Sequence, residues 1–282
     1  MPLHRAVEAF LAGGTVGRPL AAITFDDGYQ DNFRYAAPIL METGIRATFF
    51  VIADLVGTKR IPWYDRIARS VLAIKQQEKI HDLLTEYGMR TAIGDSQQNS
   101  SGRTSAQWII TQTKKLTPDQ RREFVRRLCE VAGHDESLQP DNLIMDWHQL
   151  AELADFGHEI GSHSAKHEML PQLDESSLEA EVSGSRHTLE AGLNQPVRSF
   201  CYPNGDVDGR VARAVEAAGY TCAVTVDRGG NEPQCDVYRL KRWFIHEDRL
   251  AGFRSKASGT LLRMELCGLA DCVFGRHRAE LQ

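Results

Sequence analysis

The sequence predicts an α/β fold, an irregular or incomplete (β/α) barrel with a helical insertion. Three observations lead there. Short apolar runs rich in β-branched and aromatic residues recur along the chain, amphipathic helical stretches separate them, and polar residues gather directly after the runs. In a parallel sheet or barrel the C-terminal strand ends converge on one rim, where sites are built.

The first expected strand is Ala21-Ala22-Ile23-Thr24-Phe25, followed at once by Asp26-Asp27-Gly28-Tyr29. Phe33, Ala36, Ala37, Leu40 and Met41 then recur at helical spacing, with Pro38 inside and Gly44 placed as a C-cap. Arg46 to Ile52 reads as a second buried strand, completing β-α-β. Residues 57 to about 145 break the rhythm and are expected to be a helical insertion. Within it Asp65–Ile74 and Gln76–Tyr87 look helical, and Gly88–Thr104 is rich in loop residues. Thr117-Pro118-Asp119-Gln120 supplies an N-cap, a first-turn proline and a capping-box Gln for a helix running to Ala132. The alternation resumes with a helix from Asp146 to a stop at Gly157. A strand into Gly161-Ser162-His163 follows, then a helix from about Ser176 to Gly192 and a strand over Val197–Tyr202. A helix stopping at Gly219 and strands over Tyr220–Val226 and Lys241–Ile245 complete the series, and a helical tail is expected from about 250 to 282. The whole of 1–282 is expected to be one domain.

A chain of 282 residues with 42% hydrophobic content has ample material for a core. Its net charge of −5, with both signs interspersed, leaves no basic footprint for nucleic acid. No run approaches the roughly 18 apolar residues of a membrane span. The opening residues carry an early Glu8 and no apolar stretch, unlike a secretory signal. Six cysteines scattered through a long chain suit reduced thiols, and cytoplasmic localisation is the expectation. Oligomeric state is not legible.

An isolated Asp-Asp-Gly is a turn. What raises it is a second cluster, His158 to His167, which also follows a strand-like run and carries His163 and His167 four residues apart. A carboxylate and two imidazoles from separate strand ends make a three-ligand site for one divalent ion. Nitrogen plus carboxylate donors suit Zn2+, with Co2+, Ni2+ or Mn2+ as alternatives. One carboxylate of the doublet can ligate while its neighbour stays free as a general base. Adjacent residues on a strand face opposite ways, so a turn with Gly28 must re-aim one of them.

Thr24–Tyr29, Arg46–Val51, Gly161–His167 and Phe200–Gly205 occur in an order and spacing that resembles the polysaccharide deacetylases, the NodB-homology family of carbohydrate esterases. The resemblance covers about residues 20–56 and 145–245. It implies an incomplete β/α barrel that uses a divalent metal to remove N-acetyl groups from amino sugars of an N-acetylated glycan. By position, Asp26 resembles the family's base, and Asp27, His163 and His167 its metal ligands. The Phe200–Gly205 segment, with Tyr202, resembles the groove-lining motif that donates a backbone N–H to an oxyanion. Pro203 has no N–H to give, so Asn204 is the expected donor. Relatives carry an arginine beside the base in this motif; here Cys201 holds that position, and Arg198 or Arg46 is expected to replace it. The family's acid toward the leaving amine is a histidine after a late strand, which makes His246 the counterpart; Asp227, after the preceding strand, reads first as a surface turn, with orientation of that acid as its alternative. Two other readings stay open. One is hydrolysis of a small non-sugar amide such as a ureide or cyclic imide; the other is a carbohydrate-binding homologue without catalysis, against which the retained Asp26 speaks.

Overall fold

The computed structural model describes residues 1–13, 20–74, 77–89, 102–133, 143–245 and 258–266. Six strands lie side by side in chain order with every neighbouring pair parallel. They are β1 (Thr24–Phe25), β2 (Thr48–Val51), β3 (Glu159–Ser162), β4 (Ser199–Cys201), β5 (Cys222–Arg228) and β6 (Leu240–Arg242). The sheet curls into a half-barrel in which β1 and β6 are the edge strands among the described residues. The fold class read from the sequence is therefore the observed one.

Strand alternation sorts the side chains into two populations. Phe49, Val51, Ile160, Phe200, Tyr202 and Ala223 face outward into the main core. There they meet α2 (Ala37–Glu42), α7 (Trp147–Asp155), α8 (Glu175–Glu179), α9 (Ser185–Leu193) and α10 (Gly209–Ala217). The alternate residues Phe50, Cys201, Cys222, Val224 and Leu240 form a separate cluster inside the half-barrel. Leu3 and Val7 join that cluster from a helix at the chain start, α1 (Leu3–Leu11). Gly161 is inward too, and a Cβ there would stand 2.6 Å from the Phe50 ring, so only glycine lets that ring fill the interior.

One buried carboxylate ties α1 to the barrel base. Glu159 Oε2 accepts from the His4 N–H at 3.1 Å and the Thr48 hydroxyl at 2.8 Å, and Oε1 accepts from Ser199 at 2.5 Å. Burial favours the neutral acid, but the bonds from His4 and Ser199 prevail and hold the Glu159 pKa below its usual value. Its stabilisation is thus present above the unfolded-state value of 4.5 and lost as pH falls through the lower folded one. Glu159→Ala takes the acceptor from three donors, the His4 N–H and the Thr48 and Ser199 hydroxyls, at about 1 kcal/mol each. The expected result is a loss of about 3 kcal/mol at neutral pH, read as a lower denaturant midpoint at unchanged slope.

Among its described residues the insertion carries four helices, α3 (Trp63–Ala73), α4 (Gln77–Glu86), α5 (Gly102–Thr113) and α6 (Pro118–Val131). They close on a core of their own that includes Ile67, Leu84, Ile109, Phe124 and Leu128. The expected capping box of Thr117 with Gln120 forms on α6, and a second one, Asp146 with Gln149, opens α7. Pro38 is tolerated because a π-helical stretch, Asn32–Ala36, precedes α2 and places the proline in its first turn.

Some expectations are corrected. The pairing part of β1 is confined to Thr24–Phe25, and β6 ends at Arg242 rather than Ile245. Helices α1 and α5 have no counterpart among the expected elements, and α5 starts inside the span expected to be loop. Residues 90–101 of that span lie outside the described residues. The tail contributes α11 (Gly259–Leu266), with its remaining residues likewise outside them. No helix among the described residues is long and apolar enough to cross a membrane. Cys129, Cys201, Cys222 and Cys235 are free thiols.

Candidate active site

The segments following β1, β3 and β4 meet at the C-terminal rim of the half-barrel. After β1 the chain turns sharply, with Asp27 at φ 70° and Gly28 at φ 78°. A Cβ on Gly28 would stand 2.9 Å from Val51 Cγ1, so this turn needs glycine for both conformation and space. Its effect is to separate two adjacent carboxylates. Asp26 continues the inward face of β1, and Asp27 is swung toward the segment after β3.

Asp27 Oδ1 lies 3.5 Å from His163 Nε2 and 3.7 Å from His167 Nε2, and the two imidazole rings stand edge to face with centroids 4.7 Å apart. His163 Nδ1 is fixed by a 2.8 Å bond to the Cys201 carbonyl, which requires Nδ1 to carry the proton and leaves Nε2 as a lone-pair donor. Asp27 Oδ1 is buried and accepts no hydrogen bond from the described residues. Burial raises the Asp27 pKa, opposed by His163 and reinforced by Asp26. Burial, aided by His163, drives the His167 pKa well below its usual value, which favours the neutral ligand form. These three donors fit a divalent ion. Four-coordinate zinc at about 2.1 Å from each ligand separates neighbouring donors by about 3.4 Å, close to the distances here. An orphaned buried carboxylate oxygen is what such an ion would satisfy.

Asp26 is in a different electrostatic state. Arg242, the last residue of β6, donates to it bidentately, Nη1 to Oδ1 and Nη2 to Oδ2, both at 2.8 Å. The same guanidinium binds Thr24 Oγ1 at 3.1 Å and donates from Nε to the Thr225 carbonyl at 2.8 Å, so it spans the opening between the two sheet edges. Burial works to raise the Asp26 pKa, but the charge and hydrogen bonds of Arg242 outweigh it and bring the value to about 2. Two bonds do not exhaust a carboxylate's acceptor capacity, and the Asp26 side chain keeps 30% of its surface open. The Cys201 thiol, its pKa pushed well up by burial, donates to Asp26 at 3.5 Å and packs 3.3 Å from Arg242 Nη2. A short side chain at 201 therefore leaves room for an arginine arriving from another strand.

Arg198, expected beside Asp26, precedes β4 and so sits at the opposite end of the sheet from the rim. Its carbonyl accepts from Thr221 N at 2.7 Å. Arg46 stands likewise before β2. Tyr202, expected in the groove, has its side chain in the core against Phe200, with its hydroxyl bonded to the Tyr238 carbonyl at 2.9 Å. Asn204 does lie in the turn after β4, at φ 56°, where the turn bonds use the N–H groups of Gly205 and Asp206. Asp227 is exposed on β5. His246 lies outside the described residues.

Two further groups come from the insertion. Tyr64 packs its ring edge to face on His167, centroids 5.0 Å apart. Asp65 accepts from the Tyr29 hydroxyl at 2.6 Å, and burial lifts its pKa to about 6 against that bond. Neither carries a sequence signal, because each contact joins segments far apart in the chain.

A family profile described as polysaccharide deacetylase matches residues 13–223. YxkH of Bacillus subtilis (strain 168), assigned provisionally by its name to the polysaccharide deacetylases, is 22% identical over 220 residues, which cover 78% of this chain and 49% of YxkH. The chain thus spans about half the length of that relative. Among solved structures, the Streptococcus pyogenes deacetylase PplD in complex with acetate is 18% identical with a TM-score of 0.51, over 86% of this chain and 72% of PplD. A de-N-acetylase from Aggregatibacter actinomycetemcomitans is 14% identical with a TM-score of 0.53, over 94% of this chain and 82% of its own. At these identities the likeness is one of fold.

Proposed function

The chain belongs to the polysaccharide deacetylase family, and on that footing we propose that it hydrolyses N-acetyl groups from amino sugars of a poly- or oligosaccharide, holding a divalent ion on Asp27, His163 and His167. The donor set favours Zn2+, with Co2+, Ni2+ or Mn2+ as substitutes. When bound, such an ion supplies Lewis acidity, polarising a carbonyl and lowering the pKa of water from 15.7.

The observation that carries this reading is the divergence of two neighbouring carboxylates, Asp26 bound bidentately by Arg242 and Asp27 turned toward His163 and His167. Environments that push paired groups apart assign them different roles. Asp27 is the ligand, since a cation relieves its burial. Asp26, already balanced by Arg242, is the base that takes a proton from the attacking water. The Asn204 N–H, in its left-handed turn after β4, is the donor toward the oxyanion that develops on the acetamide. His163, locked through Nδ1, keeps its tautomer throughout. An acid must then protonate the departing amine, and His246 is our candidate.

The test is acetate release from N-acetylglucosamine oligomers. Free amine and acetate are expected in equal amounts, lost on chelation and restored by zinc. Hydrolysis of ureides or cyclic imides with no acetate from any glycan would overturn the sugar assignment.

A further inference from the structure

The turn that presents His167 is held from two sides. Its first half is anchored by the barrel: Ala53 N–H donates to the Ser164 carbonyl at 3.1 Å and Asp54 N–H to the Ala165 carbonyl at 3.0 Å. Ala165 N–H donates to the Glu181 carbonyl at 3.1 Å and Lys166 N–H to Glu181 Oε2 at 2.9 Å. Its second half is gripped by the insertion. Trp63, the first residue of α3, donates from Nε1 to the His167 carbonyl at 3.1 Å. Arg121 of α6, only 1% exposed, donates to Glu168 Oε2 at 2.7 Å and Gln172 Oε1 at 3.3 Å. The Arg121 guanidinium also lies 5.8 Å from the Trp63 ring centroid, which joins the two grips into one.

This grip falls where the backbone resists its own conformation. His167 has φ 61° and Ser164 φ 62°, and the Ser164 hydroxyl accepts from the His167 N–H at 2.9 Å. Left-handed non-glycine residues are strained and persist where the surroundings over-determine them. Around His167 and Glu168, the surroundings are largely α3 and α6.

We propose that the insertion acts as a clamp on the second imidazole, with Trp63 and Arg121 as positioning residues that hold His167 in ion-binding geometry. The inference rests on the ion-binding triad proposed above. It assigns the insertion a role in ion affinity and not in the stability of the barrel, consistent with the insertion's separate hydrophobic core.

Two variants test it. Trp63→Phe keeps an aromatic ring and loses one N–H donor. Arg121→Met combined with Glu168→Met removes the ion pair without leaving an unpaired buried charge. Zinc affinity is measured on the full, metal-stripped chain by chelator competition, alongside its melting temperature and turnover against zinc concentration. Loss of a partner that orients a metal ligand weakens affinity by about 10- to 100-fold. At least about tenfold weaker zinc binding is expected in each variant, with turnover regained at saturating zinc and the melting temperature of stripped Trp63→Phe unchanged. Unchanged zinc affinity, or a lower melting temperature with affinity intact, overturns the clamp. Should the double variant fail to fold, Trp63→Phe alone decides. Wild-type protein that binds no zinc removes the triad and the clamp together, whereas wild-type binding abolished by His163→Ala but untouched by Trp63→Phe removes the clamp only.

Discussion

Asp26→Asn is expected to lower turnover by about 10²- to 10⁴-fold, the usual contribution of a general base, while the protein still binds zinc. The carboxamide has the shape of the carboxylate but cannot accept the proton that must leave the attacking water. Zinc binding survives because Asp26 is directed at Arg242 and the proposed ligands are Asp27, His163 and His167. The adjacent Asp27→Asn is the mirror case: the ligand weakens and the ion is lost, while Asp26 keeps its partner. Turnover and zinc stoichiometry measured on both variants separate the two roles. Normal acetate release by Asp26→Asn ends the base assignment.

Legibility in the sequence followed the range of the interaction. Capping boxes on α6 and α7, the glycine turn after β1 and the apolar strands are local, so residue type and spacing suffice to find them. The two imidazoles lie four residues apart on one turn and were equally visible. The partner of Asp26 was not, because Arg242 lies 216 positions away and reaches it only through the curl of the sheet. One signal did exist. Leu240 and Arg242 share the inward face of β6, and an arginine at the rim end of an inward row asks for a carboxylate there. Arg198 is nearer in sequence to Cys201 but stands before its strand, and a parallel barrel puts such residues at the wrong end. Tyr202 failed for a related reason: on β4 and just beyond it, Phe200 and Tyr202 share the outward face, away from Cys201. The polar cluster around Glu159 needed the third dimension as well, since it joins α1, β2, β3 and β4.

Arg242→Gln is expected to cost about 10²-fold in turnover, the penalty of a reacting group displaced by about 1 Å, with zinc retained. Gln keeps some hydrogen bonding but removes the charge and the planar fork that fixes both Asp26 oxygens. The pH dependence should change sign with it. In the wild type, Asp26 falls from 3.8 to about 2, so its stabilisation is present above pH 3.8 and lost as pH drops toward 2. That shift corresponds to at most about 2 kcal/mol, since Asp26 is partly open to water. Without Arg242, burial is the largest remaining influence and raises the Asp26 pKa above its unfolded value. The variant therefore loses stability at neutral pH and recovers part of the difference on acidification, and the acid limb of its turnover profile moves to higher pH. Arg242→Lys should rescue charge without rescuing turnover, because a single ammonium cannot hold two oxygens and bind Thr24 and the Thr225 carbonyl at once. Turnover and an acid limb indistinguishable from wild type in Arg242→Gln would mean that Asp26 needs no counter-charge, and the assignment of Arg242 as its positioning partner would fall.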